Sequence, residues 1–271
     1  MRPTPLLPRL AIGWLALVLL VALLADHLPL HDPLAPNLEH MLLAPDAQHW
    51  FGADSLGRDV LSRCLHGFRI TLSVSFGATL LALLAGGALG LCAGYFRGRV
   101  ERAVMLLVDV LLAFPPLVLI IALSAHPGQP LAKVIGTVAV VFLPAVARMA
   151  RAQTLKLARL EFITAAQAMG MSHRRILLRE LLPNVLPPLL AYGLLLVAVA
   201  ALIEAALGFL GVGVPAPAPT LGGMMAAEQA RLREAPHAVF FPAVLLFTTT
   251  LALSVMADAW QRRLEGRRSL S

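Results

Sequence analysis

Charged residues are scarce in this chain of 271 residues, and their scarcity excludes an ordinary soluble globular protein. Asp, Glu, Lys and Arg make up 14% of the sequence against 59% apolar residues, and the mean hydropathy is +0.80. A soluble domain has roughly a quarter of its residues charged and about half of them apolar. The composition therefore predicts a protein that crosses a membrane several times.

Motifs for binding ATP or for catalysis are also missing. No G-x-x-x-x-G-K-[ST] stretch occurs, so the chain lacks that type of loop for holding phosphates, and neither HExxH nor GxSxG is present. Cys64 lies in a polar segment and Cys92 in an apolar run, so they imply no disulfide or metal pair. We predict no enzymatic activity, no metal and no cofactor, and any energy must come from a partner.

Six apolar runs approach the roughly 20 residues that a helix needs to cross a bilayer. They predict an all-α polytopic membrane protein with about six transmembrane helices. The predicted spans are Leu10–Ala25, Thr71–Phe96, Ala103–Ala125, Leu131–Ala147, part of Val185–Val214, and Val239–Ala257.

Lysine and arginine are distributed unevenly around these spans. With the N-terminus inside, the cytoplasmic segments hold 16 of the 22 basic residues. Because basic segments are retained in the cytoplasm, we predict that both termini and the segment Glu161–Pro183 are cytoplasmic. The net charge is +7, but the basic residues flank the apolar spans and form no patch with aromatic residues. No nucleic-acid partner is therefore predicted.

The first span has a second interpretation. Arg9, followed by an apolar run that ends at Ala22–Ala25, is also the pattern of a cleaved secretory signal peptide. Cleavage near residue 25 would leave five spans and would put the two ends on opposite faces, which the basic C-terminal tail disfavours. We therefore expect an uncleaved span.

The segment Glu161–Pro183 predicts a docking surface for another protein. It reads as two short helices joined at Gly170, which can adopt the left-handed conformation that ends a helix. The first helix is rich in alanine, and the second carries leucines four residues apart beside arginines. Ser172 is expected to cap the second helix and Pro183 to end it. The residues assigned to this surface are Ala165, Ala166, Gly170, Ser172, Arg175, Leu182 and Pro183.

The same residues resemble the EAA loop of the membrane subunits of bacterial ABC importers. That pattern reads EAA, three residues, G, nine residues, I, one residue and LP, and the spacing fits here throughout. Thr164 stands in place of its Glu, and Glu180 in place of its Ile. The resemblance implies that residues 161–183 form the cytoplasmic coupling helix, which sits in a groove of an ATP-hydrolysing partner.

Three further segments are similar to the dipeptide, oligopeptide and nickel branch of these permeases. They are FGADSLGRDVLSRCLHGFRITL (Phe51–Leu72), VDVLLAFP (Val108–Pro115) and GFLGVGVPAPAPTLGGMM (Gly208–Met225). The resemblance implies a type I ABC importer permease in a bacterial inner membrane, with an N-terminal span and outside segment (1–70) and a permease core (71–271). Its implied partners are a second homologous permease subunit, two ABC ATPase subunits, an extracytoplasmic solute-binding protein and membrane lipid.

Small residues and acids within the spans supply the remaining candidate residues. Gly86, Gly90 and Gly94 recur every four residues, which predicts a face where another helix, first of all one of the same chain, packs closely. Asp109 and Glu204 lie within spans, where acids usually face protein or water. Each is either a paired structural acid, Asp109 with an arginine such as Arg102, or part of the transport path.

The transported solute and the transport class have alternatives at this stage. Seven of the eight histidines lie outside and imidazole binds soft metal ions, but the histidines lack ligand spacing. Peptides and nickel or metal chelates are therefore equally compatible. An ion-coupled secondary transporter would show inverted repeats with charges at matching positions, and no repeat surrounds Asp109 or Glu204. An integral-membrane enzyme would need a convergent catalytic group, which the sequence does not reveal.

Reporter fusions test the predicted orientation. Because basic segments remain on the cytoplasmic side, fusions after residue 160 and at the C-terminus should both report a cytoplasmic location. A periplasmic signal from either fusion would contradict the six-span topology.

Overall fold

The computed structural model describes residues 6–124 and 128–268, and it is almost entirely helical there. Ala125, the expected end of the third span, lies outside the described residues. Single helical turns of the 3-10 type occupy Ala25–His27, Leu38–His40 and Gln229–Arg231. The α-helices are α1 (Leu6–Leu23), α2 (Val60–Phe96), α3 (Gly98–Ala113), α4 (Pro116–Ser124), α5 (Pro130–Leu157), α6 (Glu161–Ala168), α7 (His173–Arg175), α8 (Leu182–Phe209), α9 (Leu221–Glu228) and α10 (His237–Arg268).

Five helices of the described residues are long and apolar enough to cross a membrane. They are α1, α2, α5, the continuous helix His173–Phe209 that contains α7 and α8, and α10. The bent pair α3 and α4 makes a sixth crossing if the two count as one span. The prediction of an all-α fold with about six spans is confirmed.

The third span is not the single straight helix that the sequence predicted over Ala103–Ala125. The axes of α3 and α4 meet at 89°, and Phe114 between them is extended at φ −86° and ψ 134°. The residue before a proline is pushed out of the helical region, and a proline has no N–H to donate. Pro115 and Pro116 together therefore break the helix.

The second span begins earlier than predicted. In the sequence, Asp54 or Ser55 followed by an apolar stripe that includes Val60 and Cys64 predicts a separate capped helix on the outer membrane surface. In the structure, α2 runs without interruption from Val60 to Phe96. Val60 and Cys64 are fully buried and pack with residues near the start of α10, so this apolar stripe faces protein. A carboxylate oxygen of Asp59 accepts a hydrogen bond from the N–H of Ser62 at 2.7 Å and caps the helix.

Contacts divide the chain into two compact units, and each unit collects several segments. The first unit holds residues 6–76, 128–135 and 197–256, and the second holds 77–124, 136–196 and 257–268. The core of the first unit draws on α1, α2, α8, α9 and α10. Its buried residues are Val18, Ala22, Phe68, Ala201, Ala205, Leu221 and Leu246.

The second unit contains a close contact between α2 and α5. The glycine face of α2 (Gly86, Gly90 and Gly94) lies directly against α5. A Cβ atom built on Gly86 would lie 2.8 Å from the carbonyl oxygen of Leu143, and one on Gly94 would lie 2.6 Å from the Cβ of Thr154. Small residues permit this backbone approach, which is how helices associate in lipid.

Replacing Gly90 by Leu should disrupt this contact. A Cβ there would collide with the carbonyl oxygen of Ala147 and would lie 2.6 Å from the Cβ of Ala150. Overpacking of this kind lowers the free energy of unfolding by about 1–3 kcal/mol. We expect lower abundance in the membrane and a lower melting temperature of the purified protein.

Gly136→Leu is the matched control. Gly136 is also inside a helix, but in the part of the chain that the structure describes no heavy atom lies within 4 Å of its Cβ position, so leucine should be tolerated there. Equal abundance and stability of the two variants would contradict the packing role of the glycine face.

Candidate functional site

The helix α6 ends in a Schellman motif centred on Gly170. The N–H of Gly170 donates to the carbonyl of Gln167 at 3.0 Å, and the N–H of Met171 donates to that of Ala166 at 3.1 Å. Gly170 has φ +74°, the left-handed conformation that a side chain disfavours. The turn therefore forms where the sequence predicted it, and for the predicted reason.

Ser172 occupies the N-cap position of α7 but does not cap it through its side chain. Its backbone is extended at φ −63° and ψ 147°, and no capping hydrogen bond from its hydroxyl is formed. The carbonyl of Ser172 accepts the N–H groups of Arg175 and Ile176 at 2.9 and 3.1 Å. The expected side-chain cap is thus wrong, although the helix begins at the expected place.

The helix after Gly170 does not stop at Pro183. A π-helical segment (Ile176–Leu181) follows α7, and the N–H of Leu182 donates five residues back to the carbonyl of Leu177. The chain then continues directly into α8, with Pro183 in its first turn. Pro183 has no N–H to donate, yet the helix that begins at His173 continues past it to Phe209. The prediction of a helix end at Pro183 was therefore wrong.

The π-helical segment also changes which leucines face the protein interior. We expected pairs four residues apart, Leu177 with Leu181 and Leu178 with Leu182. The fully buried side chains are instead Ile176 and Leu181, which are five residues apart, while Leu178 is 50% exposed and Leu182 is 36% exposed. A π-helix widens the turn to five residues between hydrogen-bonded groups, so the buried positions shift with it.

Ala166, assigned to the docking surface from the sequence, lies on the buried side of α6. It is 4% exposed and lies beside Ile163, which is 1% exposed. These two side chains hold α6 against the rest of the second unit. Ala166 is thus buried behind the predicted docking surface and is not available to a partner.

The opposite side of α6 is an exposed apolar face. Phe162 and Met169 are 39% and 75% exposed, and Ala165 lies exposed between them. Gly170 is exposed too, and no heavy atom lies within 4 Å of its Cβ position. Apolar side chains that lie exposed next to one another are typical of an interaction site. We define the exposed loop face as Phe162, Ala165, Met169 and Gly170.

Basic side chains continue this surface beyond the turn. Arg174, Arg175 and Arg179 are all exposed, whereas Glu180 beside them is partly buried. Nδ1 of His173 and the hydroxyl of Tyr95 at the end of α2 share a hydrogen bond of 2.8 Å. The sequence did not predict the Tyr95 contact, because the two residues are 78 positions apart.

Asp109 pairs with a different arginine from the one we expected. Its carboxylate lies 2.7 Å from the guanidinium of Arg148 on α5. Arg102 lies two turns away along the same helix, about 10 Å by the rise of a helix, so it is out of reach. Glu101 on α3 and Arg151 on α5 form a second ion pair between the same helices. Arg148 and Arg151 lie three residues apart on α5, and this spacing was the signal in the sequence that could have predicted the two ion pairs.

Glu204 belongs to the first unit and has no basic partner among the described residues. It is fully buried, and one of its carboxylate oxygens accepts a hydrogen bond from the hydroxyl of Thr71 at 2.7 Å. The other oxygen has no hydrogen-bond partner in the described part of the chain. Glu204 is therefore a paired acid, and its partner is the hydroxyl group of Thr71.

Sequence comparisons place the chain among transport proteins. The family model described as "binding-protein-dependent transport system inner membrane component" matches residues 86–270. The chain is 37% identical to the glutathione transport system permease protein GsiD of Pectobacterium atrosepticum, over 82% of this chain and 73% of that protein. It is 35% identical to the dipeptide transport system permease protein DppC of Alkalihalophilus pseudofirmus, over 95% of this chain and 86% of that protein.

Solved structures with a similar fold are also membrane transporters. A chain of the MetNI methionine ABC transporter, in inward-facing conformations, matches with a TM-score of 0.58 and 20% identity, over 74% of this chain and 97% of that chain. A chain of an amino acid ABC transporter crystallised with histidines matches with a TM-score of 0.57 and 17% identity, over 75% and 94%. At these identities the likeness is one of fold.

Thr71→Val tests the hydrogen bond to Glu204. Valine has the same shape but no hydroxyl, so it leaves a buried carboxyl oxygen without its donor. We expect a loss of about 1–3 kcal/mol in the free energy of unfolding, measured by denaturation in detergent. The control is Thr249→Val, because the buried hydroxyl of Thr249 has no partner within the described residues. A similar loss in both variants would show that the hydrogen bond contributes nothing.

Proposed function

The chain belongs to the family of binding-protein-dependent transport system inner membrane components, in the peptide branch of ABC importer permeases, and we propose that it couples ATP hydrolysis by a partner to solute import by alternating access. The exposed loop face is the observation that carries this proposal. It lies in the segment 161–183, which resembles the family's coupling loop, and it leaves apolar side chains uncovered.

The chemistry of the loop fits a protein partner. The exposed loop face offers apolar contact with little side-chain bulk at Ala165 and Gly170, so a partner's backbone can approach closely. The neighbouring Arg174, Arg175 and Arg179 add positive charge, which favours an acidic rim around the partner's groove. We infer that this groove belongs to the ATP-hydrolysing subunit.

The connection from the loop to the membrane supports a direct transmission of movement. His173–Phe209 is one continuous helix, so a shift of α7 must displace the start of α8. The π-helical segment between them is a local deviation of a kind often found at functional positions. The nucleotide-bound partner has to bind one conformation of the spans more tightly, because a ligand shifts an equilibrium only by its difference in affinity.

The proposed assembly contains further subunits. We infer a second homologous permease subunit, two ABC ATPase subunits and an extracytoplasmic solute-binding protein, which are the partners that this family implies. Both termini and the loop are proposed to be cytoplasmic, on the basis of the lysine and arginine distribution. An ion-coupled secondary transporter is set aside because the chain belongs to a binding-protein-dependent family.

We propose short peptides or peptide-like thiols as the cargo. The two relatives described above are named for dipeptide and glutathione transport, and neither is named for nickel. A transport assay with a labelled dipeptide, glutathione and Ni²⁺ in parallel decides among the cargoes. Uptake of Ni²⁺ alone would contradict the peptide assignment.

Gly170→Asp tests the coupling loop. Among the described residues no heavy atom lies within 4 Å of its Cβ position, so the internal effect expected is the left-handed backbone, which costs about 1–2 kcal/mol with a side chain. The variant should insert and express normally. Its affinity for the ATPase subunit should fall, and ATPase activity should no longer respond to the loaded binding protein, because the side chain protrudes into the docked surface.

Gly211→Asp is the matched control. Gly211 has φ +75°, ends α8 with the same pair of hydrogen bonds and also has open space around its Cβ position. It therefore carries the same backbone strain outside the loop and should keep ATPase binding. Ser172→Ala should be mild, because no side-chain cap is lost. Normal ATPase binding and stimulation in Gly170→Asp would overturn the docking assignment.

A further inference from the structure

Three potential metal ligands meet in the segment between α1 and α2. One ligand atom from each of His31, His49 and Asp59 lies within 4.8 Å of the other two. His49 and Asp59 are both 4% exposed, whereas His31 is exposed. All three belong to the first unit, and none takes part in the proposed docking surface.

The start of α2 holds this cluster in place. The hydroxyl of Ser62 donates to the carbonyl of His31 at 2.7 Å, and the guanidinium of Arg63 donates to the carbonyl of Pro33 at 2.8 Å. These two bonds fix the His31 segment against the first turn of the helix. Asp59 is fixed in turn by the N–H of Ser62, which binds its second carboxylate oxygen.

A tight turn orients His49. The carboxylate of Asp46 accepts the backbone N–H groups of His49 and Gln48 at 2.5 and 2.8 Å. These two bonds hold the pKa of Asp46 below its usual range, so the carboxylate stays charged and the turn stays closed. The cluster is therefore built from several anchored backbone segments.

The hydrogen bonds around His49 leave one of its nitrogens facing a carboxylate. The Oδ1 of Asn37 accepts the N–H of Glu39, so its Nδ2 is the group that faces His40 and donates to the ring Nδ1 at 3.2 Å. Nε2 of His49 lies 3.2 Å from the same nitrogen of His40, which holds the His49 ring in place. Nδ1 of His49 then faces Asp59 Oδ1 at 3.0 Å.

Nδ1 of His49 can either donate its proton to Asp59 or release it and bind a metal ion together with that carboxylate. The His31 ring stacks on that of His49 with centroids 4.5 Å apart, which brings a third ligand to the same place. A divalent ion uses all three ligand atoms. Small side-chain movements bring atoms at this spacing to the usual bond lengths of about 2.0–2.2 Å.

A cavity adjoins the cluster and leaves room for further ligands. Its volume is about 680 Å³, and His31 and Asp59 are part of its lining. The other walls are mainly apolar, with Leu28, Trp50 and Phe51 among them. An ion held by three protein atoms keeps a position open for water or for a donor group that enters such a cavity.

We propose that His31, His49 and Asp59 form a binding site for a divalent transition-metal ion of the Co²⁺, Ni²⁺ and Zn²⁺ type. Two imidazoles and one carboxylate suit these ions, whereas Ca²⁺ and Mg²⁺ prefer oxygen ligands throughout. His40 touches the other nitrogen of His49 and keeps its ring in the ligating orientation. The site is independent of the loop and of the cargo proposed above.

The test uses the full-length chain purified in detergent and stripped with a chelator. It is dialysed against Zn²⁺, bound metal is measured by elemental analysis, and Co²⁺ absorption reports the ligand field. The variants are His31→Ala and Asp59→Asn, and asparagine keeps the ability to cap α2. We expect about one ion per chain in the wild type and an affinity at least about tenfold lower in either variant.

His27→Ala is the control, because His27 is an exposed histidine of the same segment outside the cluster. It should bind as the wild type does. Zn²⁺ should raise the melting temperature of the wild type and of His27→Ala but not of His31→Ala, whose metal-free melting temperature should be unchanged. Absence of stoichiometric Zn²⁺ in the wild type, or an unchanged Zn²⁺ affinity in His31→Ala, would overturn the proposal. An NMR signal for a proton on Nδ1 of His49 in the Zn²⁺-treated protein would overturn it too.

Discussion

In hydrocarbon, helices gain little by burying leucine against leucine, so close backbone packing carries their association. The contact between the glycine face of α2 and the facing side of α5 meets this constraint in the second unit. Arg148 and Arg151 of α5 also form ion pairs with acids of α3. Both α2 and α3 thus depend on α5 for their packing, and α5 leads into the loop that contains α6.

The loop combines a rigid turn with a continuous connection to a span. The Schellman motif at Gly170 sets the angle between α6 and α7. The buried side chains of Ile163 and Ala166 fix α6 in the second unit. The uninterrupted helix from α7 into α8 leaves no flexible joint at Pro183. Under the coupling role that we propose, a movement of the loop would pass directly into the span that follows it.

Local patterns predicted local structure well and long-range pairs poorly. The turn at Gly170 and the existence of the spans follow from conformational freedom and from the length of apolar runs, which neighbouring residues determine. The partner of Asp109 depends on which helix lies beside α3, and the cluster of His31, His49 and Asp59 depends on a fold of nearly thirty residues. The spacing of these three residues along the chain could not reveal the cluster.

The sequence by itself determined the all-α membrane class, the turn at Gly170 and the family, because these rest on composition and on motifs with short spacing. The tertiary structure decided which side of α6 is exposed, which arginines bind the acids of α3, and that α8 begins without a break. Each of these follows from how helices distant in sequence pack. The π-helical segment shifts the buried positions of its helix, so periodicity alone assigns the wrong side chains to the interior.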